Sequence, residues 1–230
     1  MEERYSRTCL LIGEQALEKL KSKKVAIFGV GGVGGFVLEG LSRSGIGEIT
    51  IIDKDTVNTS NLNRQIIATK ETVGLSKVEV AKNRVLSIDD TIKVNCIKAF
   101  YLPENADSID FSKFDYVIDA VDTVSAKISI IEKAKAFNVP VISCMGTGGK
   151  LNPELLTITT IEKTSVCPLA KVMRRELKNR GITGVKVVYS TEEGVAAKTH
   201  SNEKIIPSMV FVPAVAGLLI ANEVVKDLIK

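Results

Sequence analysis

The sequence predicts an α/β fold of the Rossmann-like, doubly wound type, with a mostly parallel sheet and helices on both of its faces. Short apolar runs bounded by polar turns alternate with segments of helical periodicity along residues 24–149. Such strand–helix alternation produces a parallel sheet that is covered on both faces. A glycine-rich stretch directly after the first apolar run indicates the same fold, because it matches the phosphate-binding turn of nucleotide-binding βα units. Residues 151–230 predict a C-terminal strand and helix elaboration.

The first elements follow from local patterns. Residues 24–28 (KVAIF) and 48–52 (EITII) are short apolar runs typical of buried strands. Residues 33–43, between these two runs, have the apolar spacing of an amphipathic helix. Ser76 and Glu79 match a capping box, which predicts a helix from there to about residue 87.

The later elements alternate in the same way. Residues 94–97, 116–118 and 139–143 predict three more strands, and a helix over 125–137 separates the last two. Beyond Gly149, residues 155–161 and 185–189 are strand-like, and Pro168 suits the first position of a helix to about residue 180. Residues 191–204 predict a polar, mobile loop before a terminal helix over 208–229. No linker-like composition interrupts the chain, so we expect a single domain over 1–230, with a nucleotide-binding core (1–150) and a substrate or dimer elaboration (151–230).

The composition is that of an ordinary globular protein. The 230 residues are 45% hydrophobic and 25% charged, and the formal net charge of +4 permits an anionic partner without requiring one. The four cysteines contain no CxxC pair, which favours reduced thiols over a zinc site or a disulfide framework. The charged N-terminus does not resemble a signal peptide, so we expect a cytoplasmic location.

One apolar stretch, residues 205–220, raises the question of a membrane segment. Pro207 and Pro213 interrupt it, and it is shorter than the roughly 20 apolar residues that span a bilayer. We therefore expect a buried core or interface helix in preference to a membrane span.

The glycine-rich stretch is the first candidate site. Residues 29–34 match GxGxxG through Gly29, Gly31 and Gly34, and Gly32 adds a fourth glycine to the stretch. Glycines here let the backbone turn tightly and approach a phosphate, whose charge meets the amides at the start of the next helix. Asp53 ends the second predicted strand, where a carboxylate accepts hydrogen bonds from a ribose. These features predict a nucleotide site, but they suit NAD as well as ATP and do not distinguish between the two.

The segment after Asp53 favours a triphosphate. It brings Asp55, Asn61, Arg64 and Gln65 into one loop, and Lys77 follows at the start of the next helix. Several cationic and amide donors suit the β and γ oxygens of ATP, whereas a dinucleotide needs no such group beside its ribose. The other interpretation is a solvated charged loop.

Two carboxylates follow the strand predicted over 116–118. Asp119 and Asp122 lie at the carboxyl end of that strand, where ligands bind in open α/β sheets. We expect Asp122 to hold the Mg²⁺ that accompanies ATP, since this ion uses one or two carboxylates together with phosphate oxygens. Alternatively, Asp122 caps the helix that begins near Ser125.

Five motifs together resemble the ubiquitin-activating-enzyme-like superfamily, which includes the molybdopterin and thiamine sulfur-carrier adenylyltransferases. They are RYSR (4–7), GVGGVGG (29–35), DKDTVNTSNLNRQ (53–65), VGLSK (73–77) and DAVDT (119–123). The resemblance implies ATP-dependent adenylylation of a carboxylate. It also implies a ribose contact for Asp53, phosphate contacts for Asn61, Arg64 and Lys77 with support from Gln65, and Mg²⁺ on Asp122. Arg7 matches an arginine that reaches the partner subunit's site, which implies a homodimer.

Within the superfamily, residues 163–177 (KTSVCPLAKVMRREL), together with GTGG (146–149) and Asn152-Pro153, resemble the tRNA threonylcarbamoyladenosine dehydratases. This resemblance implies that ATP activates the threonyl carboxylate of a modified tRNA adenosine, which then cyclises on its own ureido group. The alternative is an activator of the Gly-Gly tail of a ubiquitin-like sulfur carrier, with a sulfur-transfer or carrier-protein partner. Such activators usually carry two CxxC pairs, which this sequence lacks.

Three further features keep two interpretations each. Cys167, before Pro168, is either an activated thiol at a helix start or a small apolar residue. The basic residues of the same helix either follow tRNA phosphates or form a solvated face with Leu169, Val172 and Leu177 turned inward. They are Lys171, Arg174, Arg175, Lys178 and Arg180. His200 is expected to be exposed and not catalytic.

Overall fold

A seven-stranded sheet forms the centre of the computed structural model, which describes residues 3–195 and 206–230. The strand order is β3-β2-β1-β4-β5-β7-β6. All neighbouring pairs are parallel except β6 with β7. The order reverses between β1 and β4, which is where ligands bind in doubly wound sheets. The predicted α/β, mostly parallel fold is confirmed.

The strands are β1 (Lys24–Phe28), β2 (Glu48–Ile52), β3 (Lys93–Ile97), β4 (Tyr116–Asp119), β5 (Val141–Cys144), β6 (Leu156–Thr160) and β7 (Lys186–Ser190). The α-helices are α1 (Ser6–Ile12), α2 (Glu14–Lys21), α3 (Gly34–Ser42), α4 (Lys77–Ile88), α5 (Val124–Ala136), α6 (Pro168–Asn179) and α7 (Phe211–Ile229). Short 3₁₀ helices occur at Glu3–Tyr5, Thr59–Asn61, Pro103–Ser108, Phe111–Lys113, Pro153–Leu155 and Ile161–Lys163.

The hydrophobic core has two layers, one on each face of the sheet. Successive side chains of a strand point to opposite faces of the sheet, so the side chains of β1 contribute alternately to the two layers. Val25 and Ile27 join the layer formed with α3, α4 and α7. Ala26 and Phe28 join the layer formed with α5 and α6. The carboxyl ends of the strands therefore stay uncovered along one edge, and the site lies there.

The predicted terminal helix is a core element. Helix α7 crosses α3 closely, since a Cβ added to Gly217 would lie 2.4 Å from the carbonyl oxygen of Val33. Ala216, Ile220 and Val224 of α7 are fully buried in the same crossing. In the part of the chain that the structure describes, no helix combines the length and apolar character needed to cross a bilayer.

Several local expectations were wrong. Helix α4 begins after Ser76 as predicted, but the Ser76 side chain makes no capping bond, and its buried hydroxyl has no partner among the described residues. Helix α6 turns Ala170, Met173 and Leu177 inward, whereas Val172 is exposed, because the inward positions follow i, i+3 and i+7. Helices α1 and α2 were not predicted.

Candidate nucleotide site and adjoining cavity

The glycine-rich turn between β1 and α3 is held by close backbone contacts. Gly29 has φ +84°, and a Cβ there would lie 2.9 Å from the carbonyl oxygen of Ala120. A Cβ on Gly34 would lie 1.8 Å from the carbonyl oxygen of Gly29. These two positions require glycine. Gly31 and Gly32 have ordinary space around them and line a cavity, so their lack of a side chain leaves room for a ligand.

Asp53 supports the turn from the neighbouring strand. Its Oδ2 accepts a hydrogen bond from the backbone N–H of Val30 at 2.9 Å, and its Oδ1 accepts one from the N–H of Asp55 at 2.9 Å. The half-buried carboxylate therefore links the ends of β1 and β2. Each of its oxygens retains acceptor capacity for a ribose hydroxyl.

The predicted phosphate-contacting residues lie along the same cavity. Lys77 is buried, and its Nζ lies 3.1 Å from Oδ2 of Asp55. Asn61 is buried with its Oδ1 accepting from the N–H of Asn58 at 3.0 Å. Arg64 is half-buried and uses Nη1 to donate to the carbonyl oxygen of Ser60 and to Oδ1 of Asn63, both at 2.9 Å. Nη2 and Nε of Arg64 donate no hydrogen bond within the described residues, so they remain available to a ligand.

Gln65 contributes an unsatisfied buried atom. Its side chain is 7% exposed, and its Oε1 has no hydrogen-bond partner among residues 3–195 and 206–230. A Cβ on Gly31 would lie 3.6 Å from Nε2 of Gln65, so the amide faces the glycine-rich turn. A buried polar atom without a partner carries a cost that a bound ligand or water relieves.

The two carboxylates after β4 have different environments. Asp119 is fully buried and forms an ion pair with the fully buried Lys127 at 2.9 Å. Its Oδ2 also accepts a hydrogen bond from Ser143. Asp122 is exposed and does not cap α5, because the N-cap is Thr123 and makes no side-chain capping bond. Asp122 is thus the carboxylate that remains available to a ligand.

One cavity of about 370 Å³ unites these groups. It is lined by all the predicted nucleotide residues except Gly34, and by Asp122. Other residues, which were not predicted as nucleotide contacts, also line this cavity. They are Phe100, Tyr101, Thr147, Ser208 and Pro213. Lys54 lies 4.2 Å from the centre of the Phe100 ring, which places a cation–π pair at the cavity's edge.

A second cavity, of about 740 Å³, adjoins the first. The two share Val33, Ala120, Val121, Asp122 and Thr147. The rest of its wall comes from the end of β5, the glycine-containing loop 146–150, the start of α6, residues 193–195 and Ile206. Asp122 therefore lies where a nucleotide and a second molecule would meet.

Cys167 is a buried member of that second wall. It is 3% exposed, and its Sγ lies 3.5 Å from where a Cβ on Gly146 would be. Cys144 lines the same cavity, and burial is the main cause that raises the pKa of its thiol to about 12. No group of three or more metal-ligating side chains occurs within the described ranges.

The basic residues of α6 mostly have internal partners. Arg174 donates to the carbonyl oxygen and the hydroxyl of Thr164 at 2.7 and 2.6 Å. Arg175 pairs with Glu176 at 3.0 Å, and Arg180 pairs with both Glu176 and Glu132. Lys171 and Lys178 are exposed and have no ion pair in the described part of the chain. His200 and residues 196–204 of the predicted polar loop lie outside the described residues.

Arg7 lies on α1, away from both cavities. It is exposed and makes no hydrogen bond or ion pair within residues 3–195 and 206–230. Two apolar side chains next to it, Leu10 and Leu11, are 87% and 86% exposed. Arg7 is therefore a predicted catalytic residue that the chain does not bring to its own cavity.

The comparisons with known proteins agree with this geometry. The sequence model of the ThiF family matches residues 5–230. A tRNA threonylcarbamoyladenosine dehydratase of Bacillus subtilis is 41% identical over 244 residues, covering 100% of this chain and 96% of that protein. The crystal structure of the E. coli tRNA N6-threonylcarbamoyladenosine dehydratase in complex with AMP superposes with a TM-score of 0.91 at 33% identity, covering 98% of this chain and 94% of the other. The same E. coli enzyme in complex with ATP gives a TM-score of 0.89 at 33% identity, covering 98% and 93%.

Proposed function

The chain belongs to the ThiF family, and on that premise we propose that it uses ATP to dehydrate threonylcarbamoyladenosine in tRNA to a cyclic product. The observation that carries the proposal is the pair of adjoining cavities that share Asp122. The first cavity has the hydrogen-bond donors that a nucleoside triphosphate needs, and the second is large enough for a modified base.

ATP occupies the first cavity in this proposal. The amides of the glycine-rich turn meet the phosphates at the start of α3, and Asp53 binds the ribose. Arg64 and Lys77 neutralise the charge of the triphosphate, and the Asn61 amide helps to orient it. Bound phosphates would compete with Asp55 for the ammonium of Lys77, because that carboxylate is half-exposed and its pairing is weak.

Mg²⁺ fits the donor set at the junction of the cavities. Asp122 offers one exposed carboxylate beside the predicted phosphate contacts, and Mg²⁺ binds through one or two carboxylates plus phosphate oxygens and water. When bound, the ion supplies charge neutralisation to the phosphates. The buried Asp119 is unsuitable as a ligand, because Lys127 and Ser143 already satisfy it.

The chemistry has two steps. One oxygen of the threonyl carboxylate attacks the α-phosphorus of ATP, which forms the acyl adenylate and releases pyrophosphate. A ureido nitrogen of the same substituent then attacks the activated carbonyl, loses its proton and displaces AMP. The net result is the loss of one water from the nucleoside, whose oxygen leaves in AMP. Ring closure is intramolecular, so the enzyme needs to supply orientation and little else.

A homodimer completes the site in this proposal, through the Arg7 of the partner subunit. The support is that Arg7 is exposed and unpaired within the described residues, beside the exposed Leu10 and Leu11. Paired exposed leucines on a short helix favour burial against another apolar surface. A sulfur-transfer or carrier-protein partner is not required, since ATP and the nucleoside supply every atom. We place the reaction in the cytoplasm, where tRNA and ATP are available.

The test is ATP consumption with two tRNA preparations, one from cells that make the threonylcarbamoyl modification and one from cells that lack it. We expect AMP and pyrophosphate only with modified tRNA, in equal amounts with the cyclised nucleoside. Turnover without preference for modified tRNA would reject the proposal. Pyrophosphate exchange that requires a ubiquitin-like protein would support the sulfur-carrier alternative.

A further inference from the structure

A buried lysine in the second cavity has no assigned role in the chemistry above. Lys150 ends the loop 146–150, is 6% exposed and lines the cavity. Its Nζ donates one hydrogen bond within the described residues, to the backbone carbonyl oxygen of Ser190 at 3.2 Å. An ammonium has three N–H donors, so two remain.

Lys150 forms no direct ion pair in the described part of the chain. Within residues 3–195 and 206–230, no carboxylate oxygen lies within 4.0 Å of its Nζ. The carboxylate of Glu192 interacts electrostatically with Lys150 without a direct contact, and its oxygens are hydrogen-bonded to the N–H groups of Leu151 and Asn152 at 2.9 Å each. Buried ammonium groups are ordinarily paired, because removing a charge from water is costly. Lys150 shares the cavity wall with the carboxylates of Asp122 and Glu193, but its ammonium is bonded to neither, so a bound anion could still pair with it directly.

The surrounding loop is built to hold this lysine in place. Gly149 has φ +71°, and a Cβ there would lie 2.8 Å from the carbonyl oxygen of Val195. The backbone of Gly149 also donates to Pro207 at 2.6 Å and accepts from Val195 at 2.7 Å. Lys150 therefore extends into the cavity wall from a backbone position that these contacts fix.

We propose that Lys150 binds the carboxylate of the threonylcarbamoyl group and thereby selects the modified nucleoside. This inference rests on the proposed function. Only the modified base brings a negative charge on the base itself, so a cation in the base cavity discriminates it from adenosine. Held by Lys150 through one oxygen, the carboxylate keeps its other oxygen for the α-phosphorus of ATP. A phosphate of the tRNA backbone offers the same anionic chemistry, and the experiment separates the two sources.

The probes are three anticodon stem-loop RNAs that differ at one nucleoside: the threonylcarbamoyl group as free acid, the same group as methyl ester, and plain adenosine. Binding is measured with α,β-methylene ATP present, because this analogue cannot release pyrophosphate. We expect the wild type to bind the acid at least tenfold more tightly than the ester. Lys150→Met and Lys150→Gln should bind both alike, and Lys150→Arg should keep part of the preference.

Matched controls separate charge recognition from loss of structure. Lys70→Met removes an exposed lysine that lines neither cavity and should keep the acid preference. The Lys150 variants should retain the wild-type affinity for the ATP analogue, and Lys150→Gln can still donate to Ser190.

Each other outcome has one meaning. Equal weakening of all three RNAs by Lys150→Met would assign Lys150 to a backbone phosphate and overturn the inference. An unchanged acid preference in the Lys150 variants would make it purely structural. A wild type that binds acid and adenosine RNAs alike would reject the proposed function itself, whatever the Lys150 variants do.

Discussion

Asp119 and Lys127 bond to the two sides of one residue, Val121, from a position sealed off from solvent. The carboxylate of Asp119 accepts from the N–H of Val121 at 3.3 Å, and the ammonium of Lys127 donates to the Val121 carbonyl oxygen at 3.0 Å. The two side chains pair with each other at 2.9 Å, and both are 0% exposed. The next residue is Asp122, so this buried ion pair holds the segment that places the candidate Mg²⁺ ligand.

Removal of one member of that pair should be strongly destabilising. Lys127→Met leaves the charge of Asp119 buried and uncompensated, so we expect the free energy of unfolding to fall by about 3–5 kcal/mol. The double variant Asp119→Leu with Lys127→Met should lose less than the sum of the single variants. Urea denaturation of the four proteins in this cycle gives the coupling. Additive effects would show that the pair contributes no specific stabilisation.

Loss of Asp122 should affect catalysis and leave the fold intact. The side chain is exposed, and its one hydrogen bond within residues 3–195 and 206–230 is a 3.5 Å contact from Thr123, so Asp122→Ala should unfold at the wild-type temperature. Loss of metal-assisted charge stabilisation should lower ATP turnover by about 100-fold or more. Asp107→Ala, which removes a 94% exposed carboxylate, is the matched control and should keep full activity. Wild-type turnover of Asp122→Ala at ordinary Mg²⁺ would remove this residue from the site.

Subunit mixing tests the role of Arg7 in the partner's site. Arg7→Ala and Lys77→Ala should each be inactive alone, because each homodimer lacks one group in both sites. Random exchange of equal amounts should restore about a quarter of the wild-type sites, since half of the dimers are mixed and each contains one intact site. Native mass spectrometry monitors the exchange. No recovery after confirmed exchange would mean that Arg7 does not act across the interface.

A cluster of charged side chains between α7 and the sheet predicts how the stability of the protein depends on pH. Burial alone would raise the pKa of Asp227, but hydrogen bonds from Lys186, Lys230 and Tyr116 outweigh it and lower the pKa from 3.8 to about 2. The native state therefore binds this proton less readily than the unfolded chain. The stabilisation is fully present above pH 3.8 and is lost as the pH falls towards about 2.

Asp227→Asn should accordingly lower the free energy of unfolding at pH 7 by about 2 kcal/mol, from 1.36 kcal/mol per pKa unit. The difference from the wild type should shrink as the pH falls below about 4. Denaturation series between pH 7 and pH 3 measure this, and Asp107→Asn should change stability by at most about 1 kcal/mol. A difference that stays constant with pH would mean that packing, not charge, explains the loss.

Two lysines of α6 are the candidates for contact with tRNA phosphates. Lys171→Ala with Lys178→Ala should weaken tRNA binding and lower the slope of log affinity against log salt by about 0.7 to 0.9 per lost contact. The affinity for ATP should stay unchanged. Arg174→Ala should instead lower the melting temperature, because Arg174 bonds to Thr164 within the fold. An unchanged slope in the double variant would place tRNA on another surface.

Much of the fold could be predicted because its signals are local. Apolar runs such as residues 24–28 and the glycine-rich turn at 29–34 determine the parallel strands and helix α3 over short stretches of chain. The candidate nucleotide residues could be predicted for the same reason, since Asp53 to Gln65 form one continuous segment. The antiparallel direction of β6 could not, because strand direction depends on which neighbour the strand meets.

Only the tertiary structure decided which side chains are buried, because burial comes from contacts between segments that are distant in the sequence. The sequence marked Asp119 and Asp122 alike as carboxylates after a strand, and the fold buried one against Lys127 while it left the other exposed. Lys150 carried no signal in the sequence, because the group that its ammonium contacts, the carbonyl oxygen of Ser190, lies 40 residues further along the chain. The free energy of a charge depends on its solvation, and the solvation of each side chain is set only when the whole chain has packed around it.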